Sequence, residues 1–461
     1  METMKVIAPL DKAFEPIYRS LCAFGERAKA ENGPELRIAL ERNDGLVATQ
    51  DMRILPEGGE NDALNLRMVE RMVKSMLWVY GGFRVTIAGS KTVYEGVKAQ
   101  YCEGGARAFD FHFMGHVYEH AFEVLYAATP AEAPARKDAA APIGRHLDGC
   151  RIGFDAGGSD RKVSAVVNGE SVYSEEVVWF PKTTSDPAYH FDGIVSAMKT
   201  AASKMPRVDA IGVSSAGIYI NNYTMNASLF LKVGPEDYEK YVKDIYIRAA
   251  KEIGDVPLTV CNDGDVTALA GAMSLGEDGI LGIAMGTSEA GGYVDTDGNI
   301  TGWLNELAFV PCDLAPTAMV DEWSGDAGCG VKYFSQDAVI KLAPAADIDL
   351  GESLSPAEKL KVVQAKMNEG HAGARAIYET IGVYFGYQIA YYAKFYDIRH
   401  VLIMGRVTSG QGGQLLLQKA QEVLDTEYPE LAKKIQLHIP DENSRRVGQS
   451  VAAASLPVIK K

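Results

Sequence analysis

The sequence predicts an α/β fold: two βββαβαβ lobes in series, preceded by a further α/β unit. Three observations carry this reading. Glycine-rich turns at 155–160, 286–292 and 404–410 each follow an apolar strand-like run. The order of strand and helix patterns after residue 146 is repeated once. An Ala/Pro-rich stretch, 127–145, separates both repeats from what precedes them. A chain of 461 residues is in any case too long for one ordinary core.

Residues 1–126 show helix periodicity at 10–30 and 64–80 and strand-like runs at 36–41 and 83–87, an α/β unit whose role the pattern does not reveal. Pro130, Pro134 and Pro142 mark 127–145 as a semi-rigid linker rather than a helix. In the first lobe, 146–275, the runs 151–154, 162–167 and 171–179 read as strands, the last two joined by the hairpin turn Asn168-Gly169. A helix over about 190–203, a strand at 209–213, a helix at 235–253 and a strand at 257–261 follow. The second lobe, 276–461, has strand patterns at 280–285, 292–296 and 300–304, a long helix at 375–396 and a strand at 400–404. It closes as helix, strand and helix over 414–424, 434–438 and 444–454.

The net charge of −15 argues against a nucleic-acid partner, which needs clustered Lys and Arg to neutralise phosphates. Six dispersed cysteines without a C-x-x-C pair read as reduced thiols of a cytoplasmic protein. No apolar run approaches the length of a membrane span or of a signal-peptide core.

A duplicated βββαβαβ unit resembles the ribonuclease-H-like plan of actin, Hsp70 and hexokinase. More specifically, Asp155-Ala-Gly-Gly-Ser159 is similar to the D-x-G-G-T phosphate loop of the ROK family of bacterial sugar kinases and regulators. Gly286-Thr-Ser-Glu-Ala-Gly-Gly292 resembles that family's second phosphate loop, and Asn262-Asp263 its N-D pair. Asn305-Glu306 stands where the family has G-E-x-G-H, and Gly328-Cys329 where it has G-C-x-E. Residues 446–454 are similar to its closing helix.

The resemblance implies ATP- and Mg²⁺-dependent phosphoryl transfer to a hydroxyl of a small sugar or polyol, chemistry that needs a base, a metal and donors along the phosphates. It implies Asp263 as general base, Asn262 and Glu306 as sugar contacts, and Asp155 as a Mg²⁺ ligand through water. Gly157, Gly158, Ser159, Gly286 and Thr287 would meet phosphates, and Gly405 with the 410–413 turn would border adenosine. A homodimer is also implied. Residue by residue, plainer readings stay open: Asp263 as a helix N-cap, Gly157-Gly158 as a bare hairpin, Glu306 as a strand-end charge. A non-catalytic sugar or nucleotide sensor is the alternative function, and an ATP-driven interaction protein a third.

Departures from the family pattern are equally specific. Phe309 replaces a histidine that ligates zinc and contacts sugar, and of the zinc cysteines only Cys329 is in register, so no structural zinc is expected. Phe309 and Val331 remove two hydroxyl partners, which points to an acceptor less hydroxylated or more apolar than glucose. Glu289 places a carboxylate in the second phosphate loop, unfavourable beside a triphosphate unless a cation sits there. Arg406 replaces a glycine near adenosine. His112, His116 and His120 have helical spacing, read as packing or surface in preference to metal binding, and Tyr189–Asp192 either shapes the cleft or caps a helix at Asp192.

Overall fold

The structure, a computed structural model, describes residues 3–138, 143–440 and 442–459, with the backbone alone over 442–447. After α1 (Ile17–Ala30), the strands β1 (Glu35–Arg42), β2 (Leu46–Arg53), β3 (Arg84–Ala88) and β4 (Glu123–Ala127) form a sheet in the order β2-β1-β3-β4. Between them lie α2 (Glu60–Tyr80), α3 (Lys91–Gln100) and α4 (Ala108–Tyr118). The aromatic alternation of Phe109, Phe111 and Phe113 has the period of a strand. It nevertheless lies in α4, where Phe109 and Phe113, one turn apart, both pack on Trp78. That helix ends at Glu119 in the left-handed conformation, so His120 leaves the face of His112 and His116 and stacks on Phe83 with ring centroids 4.0 Å apart.

The stretch expected as linker begins as the end of β4. Pro130–Glu132 forms a 3₁₀ turn, Ala133 is buried against Ala39, Val47 and Ala88, and Lys137 bridges to Val47. Pro142 lies outside the described residues.

The first lobe follows its expected plan. β5 (Cys150–Ala156), β6 (Asp160–Val167), β7 (Glu170–Val178), β8 (Ala210–Ser215) and β11 (Leu258–Asn262) pair in the order β11-β8-β5-β6-β7, parallel on one side of β5 and antiparallel on the other. Asn168 and Gly169 both take positive φ, 50° and 87°, as a two-residue hairpin requires. α5 (Pro187–Ala202) starts earlier than expected because Asp186 is its cap, accepting the Ala188 N–H at 2.9 Å; Asp192 lies inside the helix and caps nothing. The ribbon β9 (Ile218–Ile220) and β10 (Tyr223–Asn226) follows β8. The helix expected over 235–253 is broken into α6 (Pro235–Asp237), a π turn (Tyr238–Val242) and α7 (Ile245–Lys251).

In the second lobe, entered through α8 (Asp263–Leu275), β12 (Ile280–Met285), β13 (Glu289–Val294), β14 (His400–Met404) and β15 (Gln436–His438) pair as β13-β12-β14-β15. The third strand expected at 300–304 is not formed beyond a single bridge, Val294 to Ile300. Its place is taken by α2: the N–H groups of Leu304, Asn305 and Glu306 donate to the carbonyls of Tyr80, Val79 and Trp78 at 3.3, 3.0 and 3.0 Å. The last helical turn of α2 leaves those carbonyls without intrahelical partners, and the 304–306 backbone satisfies them. An insertion carries α9 (Gln336–Leu342) and α10 (Pro356–Asn368), followed by α11 (Ala372–Tyr392). The chain closes with α12 (Gln411–Glu427), α13 (Pro429–Ala432) and α14 (Glu442–Ala454), which returns to pack on β5 and β8 of the first lobe.

One buried core runs through the N-terminal sheet and the second lobe, with Trp78 against Phe309 at 4.2 Å and the Tyr391 hydroxyl bonded to Ser75 at 2.6 Å. The first lobe has its own core around Phe154, Ile194 and Val213. Between α2 and the loop before Gly330 lies a buried charge network. Lys74, with no exposed side-chain surface, pairs with Asp110 at 3.1 Å and Asp326 at 3.0 Å, and Arg71 pairs with Glu70 and Asp326.

Candidate functional site

The cleft between the lobes forms where β5, β11 and β12 end. Asp155, the penultimate residue of β5, is buried and accepts from Ser214 Oγ at 2.9 Å; Gln449 of α14 donates in turn to Ser214 at 3.1 Å. Lys162 Nζ stands 3.8 Å from Asp155 and 2.8 Å from Asp160. Burial pushes the Asp155 carboxyl up to about 6, against the opposing pull of Lys162.

Asp263 is the first residue of α8, and it is not the cap. Asn262 holds that position: its Oδ1 accepts from the Gly264 N–H at 2.7 Å and its Nδ2 donates to the Gly217 carbonyl at 2.8 Å. Asn262 thus spends hydrogen bonds on the fold, and Asp263 keeps a carboxylate at the positive end of a helix. Burial raises the Asp263 carboxyl above its ordinary range, while the Gly264 N–H and the charge of Lys182 lower it. α8 approaches β13 closely enough that a Cβ on Gly292 would lie 2.1 Å from the Gly264 carbonyl oxygen. Gly292 therefore serves lobe packing, not a phosphate contact.

Two further carboxyls face Asp263. Asp265 accepts from the Tyr293 N–H at 3.1 Å and from Asn305 Nδ2 at 2.9 Å, and burial pushes it up to about 7. Glu306, held by its backbone bond to Trp78, is pushed up to about 7 by burial and then by the charges of Asp263 and Asp265. Sequence patterns did not mark Asp265.

The three glycine turns converge differently from what their sequences suggest. Gly157 and Gly158 are not in the left-handed region. A Cβ on Gly158 would meet Lys182 Cε at 2.7 Å, so the lysine side chain runs directly over this turn. Ser159 is exposed and bonds Asp160 at 3.0 Å. In the second turn Gly286 is partly buried and Thr287 exposed, and Arg406 donates to Thr287 Oγ1 at 2.7 Å. Gly405 does require glycine: its φ is 101° and a Cβ would lie 2.3 Å from the Met285 carbonyl oxygen. Beyond it, Gly405, Gly410, Gln411 and Pro440 line a cavity of about 470 Å³ at the start of α12.

Glu289 overturns an expectation. It turns away from the second glycine turn into the interface with α11, where Oε1 accepts from the Tyr392 hydroxyl at 2.9 Å and burial pushes the carboxyl up to about 8. It adds no anion to the turn, and Arg406 adds a cation there. Phe309 is likewise spent on packing against Trp78, and Val331 on the same core, so neither supplies an apolar wall to the cleft. Lys182 and Lys162 carried no sequence signal, being single lysines without a motif.

Among the described residues no group of three or more His, Cys, Asp or Glu is arranged to hold a metal, and no helix is long and apolar enough to cross a membrane. No protein-family model and no curated protein matches the chain. Solved structures do. A ROK hexokinase from Thermus thermophilus aligns with a TM-score of 0.51 at 18% identity, over 66% of this chain and 97% of that one. A ROK family transcriptional regulator described as a homolog of the E. coli MLC protein aligns at 0.49 and 18%, over 67% and 79%. A ROK family glucokinase from Streptomyces griseus, solved with glucose and AMPPNP, aligns at 0.48 and 19%, over 66% and 98%. The chain has the duplicated ribonuclease-H-like α/β fold of the hexokinase.

Proposed function

We propose that this chain is a divergent ROK-type kinase that transfers a phosphoryl group from ATP to a hydroxyl of a sugar or polyol, with Asp263 as general base. The observation that supports this most is the placement of Asp263: it opens α8 in the cleft, is relieved of capping by Asn262, and is poised by burial on one side and by Lys182 on the other. A base works best with a pKa near the operating pH, and the burial of Asp263 moves it in that direction.

The residues around Asp263 fit the remaining parts. Gly157, Gly158 and Ser159 on one lobe and Gly286 and Thr287 on the other offer backbone N–H groups and hydroxyls to phosphates, with Lys182 and Arg406 as cations beside the two turns. The cavity at Gly405 and Gly410 is of a size to take adenosine. Asp155, a single buried carboxylate, suits Mg²⁺, which keeps most of its waters and takes one or two carboxylates. Bound there, the ion would neutralise charge developing between the phosphates. Glu306 and the free face of Asn262 would orient the acceptor, whose hydroxyl proton would pass to an Asp263 oxygen as the hydroxyl oxygen bonds the γ-phosphorus of ATP and the bond from that phosphorus to the departing ADP breaks. Closing the lobes would exclude water.

The test is ATP turnover by the full chain with Mg²⁺ and a panel of neutral, amino and acidic sugars. Sugar-dependent ADP release supports the reading; sugar binding with no turnover for any acceptor assigns the cleft to a sensor.

A further inference from the structure

A cavity of about 420 Å³ opens where the N-terminal sheet meets the cleft. Its lining includes Arg42 and Asn43 from the turn after β1, Asn262 and Asp265 on either side of Asp263, and Thr301 and Trp303 from the segment that follows β13. The volume is within the range of small-molecule sites.

The polar groups at its N-terminal end are under-partnered. Arg42 is 7% exposed, yet among the described residues its guanidinium makes one hydrogen bond, Nη1 to the Gly302 carbonyl at 3.0 Å, and no ion pair. Burial lowers its pKa from the ordinary value, and Asp138 acts on it only through its charge at a distance. An arginine does not lose its proton in a protein, so the site holds a buried cation with spare donors. Asn43 Oδ1 and Thr301 Oγ1 are also buried without a partner among the described residues. Native structures leave few such groups, and here they stand around one cavity. A buried charge without a partner is costly, and a matching anion offsets that cost. The carboxyls of the lining are placed otherwise: Asp44 is exposed at the mouth, and Asp265 sits at the cleft end, where burial keeps it partly protonated near neutral pH.

We propose that this cavity binds an acidic sugar, its carboxylate or phosphate paired with Arg42 and its hydroxyl groups turned toward Asn262 and Asp265. Resting on the kinase reading, this makes the acceptor a sugar whose anionic group lies far from the reacting hydroxyl. The segment before residue 127 then supplies the specificity that Phe309 and Val331 no longer give.

Calorimetric titration of the full chain with glucuronate, glucose 6-phosphate and glucose tests it. At least one acid is expected to bind about 10-fold or more tightly than glucose, the scale of a charged hydrogen-bonded pair. Which acid wins separates carboxylate from phosphate. Arg42→Gln is expected to abolish the preference and Arg42→Lys to keep part of it. Thr301→Val, nearly isosteric and leaving in place the neighbouring Gly302 carbonyl that holds Arg42, is expected to weaken the acid severalfold with an unchanged thermal midpoint, which keeps the test valid if Arg42→Gln fails to fold. Glucose binding as tightly as both acids, no binding of either acid, or a preference that survives Arg42→Gln overturns the inference. Acid binding without phosphorylation leaves it standing and removes the kinase reading; phosphorylation of glucose with no acid preference does the reverse.

Discussion

The Tyr392 hydroxyl donates to Glu289 Oε1 at 2.9 Å, which ties the carboxyl of the second glycine turn to α11 and holds it out of the cleft. The other carboxyl oxygen of Glu289, Oε2, is buried without a partner among the described residues.

Burial favours the protonated acid there, against the Tyr392 donor, and a pH dependence of stability follows. Burial raises Asp155 to about 6, Asp265 and Glu306 to about 7 and Glu289 to about 8. For acids with raised folded-state values, the stabilising contribution is complete below their unfolded values, near 4, and is lost as pH rises through the folded values. The thermal midpoint of the ligand-free protein should therefore fall from about pH 5.5 to about pH 8.5. Glu289→Gln keeps an acceptor for Tyr392 and does not titrate, so it should raise the midpoint at the alkaline end and change it little at the acid end. Equal shifts at both ends would contradict this.

Lys182 lies over Gly158 and lowers the Asp263 pKa. Lys182→Gln should reduce phosphoryl transfer by about 10-fold or more, the scale of a lost charged contact to phosphate. Removing the cation lets Asp263 rise further, so the acid limb of the pH–rate profile should move to higher pH. An unmoved limb would separate Lys182 from Asp263.

Lys74 brings its ammonium to the Asp326 and Cys329 region. Burial pushes the Cys329 thiol up, and among the described residues no group of three or more His, Cys, Asp or Glu stands with it to hold a metal. Neither chelator nor added zinc should move the thermal midpoint. Lys74→Met should cost about 3–5 kcal/mol, the penalty for leaving buried carboxylates without their cation; denaturant unfolding measures it.

The first-lobe strands and the Asn168-Gly169 turn were legible in sequence because alternation and turn chemistry are local. So were the positions of the three glycine turns at strand ends and the strand-to-helix junction at Asp263. The third strand expected at 300–304 failed because its neighbours' donors go to Trp78, Val79 and Tyr80, more than 200 residues earlier in the chain. The inward turn of Glu289 likewise depends on Tyr392. Asn262 rather than Asp263 caps α8, a one-residue offset that composition leaves open.

That offset makes Asp263→Asn a clean measurement. The cap is retained by Asn262 and a buried carboxylate is removed, so the variant should fold with a thermal midpoint no lower than the wild type's and bind ATP and sugar. Phosphoryl transfer should fall by at least about 10²-fold, the scale of general-base assistance. A folded, ligand-binding and inactive variant is the outcome the account predicts; turnover within a few-fold of the wild type, measured on the same preparation, would contradict it.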